Sequence, residues 1–128
     1  MVRLVTGGTG FIGRHLLREL AKREGMTYVL VRASSTNRLN FLIEDSDWTD
    51  RVEPLHGDIT EPHLGIEADP YFLNGAEIFH LAAVYNLEAS AEDNQRANVE
   101  GTRNVVEFAQ RIGARIHHVS SIAVAGSR

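Results

Sequence analysis

Cysteine is absent from the chain. That excludes disulfides, thiol nucleophiles and thiolate zinc sites, and it suits a reducing cytoplasm. No apolar run approaches the ~18 residues a membrane helix needs. The chain opens on a strand-like Val2–Thr6 instead of the basic and then apolar stretch of a signal peptide. Basic charge is not in excess: 13 Lys+Arg against 17 Asp+Glu leave −4, so the electrostatic footprint of a nucleic-acid binder is missing. Proline is scarce, with 3 residues, and there is no internal repeat or low-complexity tract. What remains is an ordinary globular composition, 43% hydrophobic and 23% charged over 128 residues, enough for one domain with a real core.

Short apolar runs alternate with longer amphipathic ones. Val2–Thr6, Tyr28–Val31, Arg51–Gly57, Ala76–Leu81 and Arg115–Ser120 read as strands. Pro54 removes a ladder donor and marks the third as an edge strand. From Phe11 to about Glu24, Ile12, Leu16 and Leu20 share a helical face, and Gly25 sits at the C-cap position. Glu92–Ile112 is a long helix with Ala97, Gly101, Val105, Ala109 and Ile112 in one stripe, and a short helix is expected around Arg38–Glu44. Phe72-Leu73 are expected to pack locally. Buried strands alternating with helices predict a doubly wound parallel sheet of order 3-2-1-4-5, which stops just after strand five. On this reading residues 1–128 are the N-terminal portion of a longer protein whose C-terminal part is absent.

Thr6-Gly7-Gly8-Thr9-Gly10-Phe11-Ile12-Gly13 joins the first strand to the first helix and contains Gly8-x-Gly10-x-x-Gly13. Glycine permits positive φ and lets a pyrophosphate touch backbone, the helix N-terminus offers unpaired N–H groups, and Gly13 lets the helix approach the sheet. A strand-turn-helix setting is the one this fingerprint requires. A methyltransferase binding S-adenosylmethionine is the rival with a glycine-rich first turn, but it wants an acidic residue after strand two and has no need of Gly13. That position reads Val31-Arg32-Ala33, with no carboxylate for a ribose 2′-hydroxyl. Arg32, helped by Arg38, suits a 2′-phosphate instead, which favours NADP(H) while leaving NAD(H) open.

Thr6–Gly13, Val31-Arg32, Gly57-Asp58-Ile59-Thr60, His80-Leu81-Ala82-Ala83, Asn98-Val99-Glu100-Gly101-Thr102 and Val119–Gly126, in this order, resemble the extended short-chain dehydrogenase/reductase superfamily. Leu30-Val31-Arg32-Ala33 followed by Arg38-Leu39 is similar to its thioester-reductase and fatty-acyl-CoA-reductase branch, while sugar-nucleotide epimerases and hydroxysteroid dehydrogenases share most of the landmarks. The resemblance implies a Rossmann fold and a set of roles. Gly7, Thr9, Gly10, Phe11, Ile12 and Gly13 would line the diphosphate turn. Asp58 would accept from the adenine amino group with Ile59 beside the ring. Leu81, Ala82 and Ala83 would line the path to the nicotinamide ribose. Asn98 would support the active site from the long helix. Ser121, next to Ser120, would be the catalytic serine that hydrogen-bonds the substrate oxygen.

The superfamily's acid/base is a tyrosine with a lysine four residues later. Tyr28, Tyr71 and Tyr85 are followed at that distance by Arg32, Gly75 and Ala89, and no lysine follows Lys22. The full-length protein is therefore expected to transfer hydride, and this stretch alone to be inactive. A non-catalytic dinucleotide sensor or scaffold, and an epimerase or dehydratase, are the alternatives. A metal site is not expected, because His117-His118 point to opposite faces of a strand and no H-E-x-x-H is present. Nor is a hydrolase, without a G-x-S-x-G elbow. Expected partners are a small-molecule substrate and a second copy of the chain, with no nucleic acid and no membrane.

Overall fold

Strands β1 (Val2–Thr6), β2 (Met26–Val31), β3 (Val52–His56), β4 (Glu77–His80) and β5 (Arg115–His118) form one parallel sheet in the order β3-β2-β1-β4-β5. The computed structural model describes residues 2–7, 11–32, 37, 40, 43, 50–66, 69–81 and 90–118. Helix α1 (Phe11–Leu20) follows β1, and α2 (Ala91–Ile112) links β4 to β5. The expected strand order and both long helices are present. Of the short helix expected at 38–44, only residues 40 and 43 lie among the described residues, and both are helical.

Both faces of the sheet are covered at its central strands, β2, β1 and β4. Side chains alternate across a strand, so Leu4, Leu30 and Ile78 meet Val105, Phe108 and Ala109 of α2 in one cluster. Val5, Val29 and Val31 meet Leu17 and Leu20 of α1 in the other. Val5 stands opposite Val29 and Phe79 in the register, which makes β1 the centre of the sheet. Strand β3 pairs with β2 at the edge, with Pro54 opposite Val29.

Helix α1 ends at Leu20, earlier than the expected Glu24. Beyond it, two arginines reach carbonyls of the link to β2. Arg51 donates to Ala21 O at 3.0 Å. The buried Arg3 donates to Glu24 O at 2.6 Å and to the Thr27 hydroxyl at 3.3 Å. Gly25, at φ 102, then turns the chain into β2. Arg51→Ala is expected to lower the unfolding free energy by about 1 kcal/mol, the worth of one net hydrogen bond. A urea titration would show this as a lower midpoint at unchanged slope.

Between β3 and β4 the chain makes two tight turns, Pro62–Gly65 and Pro70–Leu73. In the first, His63, Leu64 and Gly65 follow one another in the left-handed region, at φ 57, 60 and 62. Two non-glycine residues there cost about 1–2 kcal/mol each. Complete burial of Leu64 and two backbone bonds through it, Leu64 N to Glu61 O (3.0 Å) and Asp58 N to Leu64 O (2.8 Å), offset that cost. The Pro70–Leu73 turn is capped by Asp69, which accepts from the Tyr71 N–H, and Leu73 is fully buried in the α2-side core. Phe72 meets Tyr28 edge-on at 5.0 Å between ring centres.

Candidate functional site

In a parallel sheet every strand ends on the same side, and ligands of open α/β sheets gather there. The residues that follow the strand ends are Gly7 after β1, Arg32 after β2, Asp58 after β3 and Leu81 after β4. All four were singled out in the sequence, and the topology brings them to one edge. Gly7 has φ 83, a conformation that favours glycine. Helix α1 begins at Phe11, so only residues 7–10 separate its N-terminus from β1. Gly13 is buried in α1. Arg32 is exposed, and Asn98 is half-buried on α2. Gly8, Thr9, Gly10, Arg38, Ala82, Ala83, Ser120 and Ser121 lie outside the described residues, as do the side chains of Phe11 and Ile12.

A buried histidine, His80, which opens the His80-Leu81-Ala82-Ala83 landmark, ties this edge together. His80 is 1% exposed. Its Nδ1 lies 2.7 Å from the Thr6 hydroxyl and its Nε2 lies 3.1 Å from the Thr102 hydroxyl on α2. The next residue, Leu81, donates its N–H to both Thr6 O (3.0 Å) and Thr6 Oγ1 (3.2 Å). Thr6 immediately precedes Gly7, so the start of the glycine-rich turn is fixed to β4 and to helix α2. Each hydroxyl can donate or accept, so either neutral tautomer is satisfied. Burial pushes the His80 pKa from 6.5 down to about 4, and the His118 ring stacked 5.1 Å away adds to the shift. His80 is therefore neutral at physiological pH. The signal for it in the sequence is a histidine ending one buried strand, with a threonine ending the neighbouring one.

The loop after β3 is equally constrained. Asp58 Oδ1 accepts from the Thr60 N–H (2.9 Å) and hydroxyl (2.8 Å), which leaves Oδ2 for an outside donor. Ile59 is 6% exposed and packs into the α2-side core. Its side chain, expected beside a ligand ring, faces the protein interior, and Asp58 is the half-exposed member of the pair.

This edge fits a dinucleotide. The turn at Gly7 takes a positive φ, a helix N-terminus stands at the end of the central strand, and a cation and a carboxylate flank it after β2 and β3. Among the described residues no group of three or more His, Asp or Glu is placed to hold a metal ion. Among them also, no helix is long and apolar enough to cross a membrane.

Comparison with known proteins agrees with this geometry. Residues 5–128 match the model of an NAD-binding family described as male sterility protein. The chain is 36% identical over 121 residues to a ceramide reductase of Caulobacter vibrioides, covering 93% of this chain and 34% of that protein. It is 33% identical over 129 residues to the human 3 beta-hydroxysteroid dehydrogenase type 7, covering 98% of this chain and 34% of that one. The crystal structure of the aureusimine biosynthetic cluster reductase domain superimposes with a TM-score of 0.74 at 25% identity, covering 96% of this chain and 33% of that one. The chain thus spans about a third of the length of these relatives. It belongs to the male sterility protein family of NAD-binding domains, within the extended short-chain dehydrogenases/reductases, and is an NAD(P)-binding Rossmann domain of the reductase and dehydrogenase type.

Proposed function

We propose that residues 1–128 are the NADP(H)-binding portion of an oxidoreductase that exchanges hydride with a carbonyl or alcohol carbon, or with an acyl thioester. The observation that carries this reading is the convergence of Gly7, Arg32, Asp58 and Leu81 on one edge of the sheet, with α1 starting just past Gly7. On this reading the backbone from Gly7 through Thr9 and Gly10 to Gly13 holds the diphosphate, and Phe11 and Ile12 supply helix N-terminal N–H groups. Arg32 and Arg38 hold the 2′-phosphate, Asp58 accepts from the adenine amino group, and Leu81, Ala82 and Ala83 flank the nicotinamide ribose. The nicotinamide, when bound, supplies or takes the hydride. Ser121, beside Ser120, donates to the substrate oxygen and so steadies charge developing there. Asn98 orders the same region from α2.

The chain contains no Tyr-x-x-x-Lys. Proton transfer to the substrate oxygen therefore falls to residues beyond these 128, which bind cofactor without turnover. A cysteine-free chain with a diffusible nicotinamide cofactor suits the cytoplasm, and pairing of two copies suits the exposed edge strand β5.

Calorimetric titration with NADPH and NADH tests the cofactor assignment. NADPH is expected to bind more tightly. Arg32→Ala is expected to weaken NADPH roughly 10-fold or more, the loss of a charge-assisted contact, while leaving NADH nearly unchanged. Equal affinities that ignore the substitution would remove Arg32 from the site.

A further inference from the structure

The loop after β3 leaves an edge strand, where one neighbour alone holds the backbone. Its position is nevertheless closely set, and the restraint comes from α2. Asn104 donates its side-chain N–H to Ile59 O at 2.8 Å, across 45 residues of sequence. Three residues earlier on the same helix, Gly101 opens a notch that the Ile59 side chain fills. A Cβ at Gly101 would stand 2.6 Å from Ile59 Cδ1 and 3.0 Å from Cγ1. The residue just before Ile59 is Asp58, whose carboxylate is half-engaged with Thr60.

We propose that Asn104 is a positioning residue: its amide, with the notch at Gly101, places Asp58 so that the carboxylate selects a purine bearing an exocyclic amino group. The inference rests on the reading that Asp58 meets the adenine of the cofactor. Asn104 touches no ligand itself. A partly buried carbonyl leaving a strand needs a donor, and the amide is the donor the fold supplies. With leucine at 104 the Ile59 carbonyl loses its partner and turns toward water, taking the neighbouring Asp58 with it. Alanine at 101 displaces Ile59 from the other side and moves the same loop.

Three ligands separate a positioning role from a loss of stability. They are NADPH, its analogue with hypoxanthine in place of adenine, and NADH. Hypoxanthine presents an oxygen where adenine presents the amino group, so Asp58 would face an acceptor. The unaltered chain is expected to prefer NADPH over the analogue roughly tenfold. Asn104→Leu and Gly101→Ala are each expected to bring that preference close to one. Their NADPH-to-NADH preference, set at Arg32 after β2, is expected to stay as it was. General destabilisation would weaken all three ligands in proportion and leave both ratios intact, and that result overturns the proposal. A base preference that survives in both variants overturns it as well. A parent chain that binds NADPH without preferring it over the analogue overturns the Asp58 reading and the positioning role together. A parent chain that binds no NADPH overturns the proposed function beneath them.

Discussion

Gly57→Val is expected to destabilise the fold by roughly 3 kcal/mol or more, the upper range for overpacking a closed site. Even the first added carbon meets backbone: a Cβ at Gly57 would collide with Leu64 O and lie 2.6 Å from Leu30 Cδ1. Neither side has room to retreat. Gly57 N is bonded to Val31 O at 3.0 Å, and Leu64 O already accepts from Asp58 N at 2.8 Å. Leu64 itself is fully buried and held in a left-handed turn. Relief would require that turn to unwind and Asp58 to move, so cofactor affinity should fall along with the urea midpoint. Gly57→Ala is expected to show the same pair of effects in milder form. A valine variant as stable as the parent would contradict the close approach of the two segments.

Acid should weaken the fold through His80. Its pKa in the folded chain is about 4 against an ordinary 6.5, so the unfolded chain takes up the proton first. Stability is then unaffected by this group above pH 6.5, falls as the pH drops toward 4, and levels off below that. At pH 5 the loss from this residue alone is about 2 kcal/mol. Carboxylates contribute their own acid sensitivity, so the informative quantity is a difference between variants. His80→Gln removes the titrating ring and keeps a polar side chain between Thr6 and Thr102. It is expected to be less stable than the parent at pH 7.5, yet to lose about 2 kcal/mol less between pH 7.5 and pH 5. Parallel losses in the two proteins would mean that the His80 ring is not held neutral by burial.

Where a run of side chains decided the structure by itself, the sequence was sufficient. Val2–Thr6, the stripe through Val105 and Ala109, and Pro54 on an edge strand all encode their positions locally. Helix α1 is shorter than its apolar spacing suggests, and the link from Ala21 to Gly25 is held by Arg3 and Arg51, which reach the Glu24 and Ala21 carbonyls from β1 and from the turn before β3. Between β3 and β4 the sequence predicts neither helix nor strand. The left-handed turn there puts His63 and Leu64 where their side chains disfavour the backbone, and the compensation is burial that no local pattern displays. At the candidate site, the glycines and the residues after each strand were legible because topology alone collects them. His80 and Asn104 were not, since their meaning lies in Thr6, 74 residues before, and Ile59, 45 residues before. Asn98 was the amide that drew notice in the sequence, while the amide bonded to the loop after β3 is Asn104, six residues further along α2.

On the proposed function, the turn between β1 and α1 grips the diphosphate of a nicotinamide dinucleotide. A crystal structure of the chain grown with NADPH tests it most directly. The diphosphate is expected against the backbone N–H groups from Gly7 to Gly13, with the 2′-phosphate at Arg32 and the adenine at Asp58. A nucleotide lodged elsewhere, or no nucleotide at saturating NADPH, would contradict it.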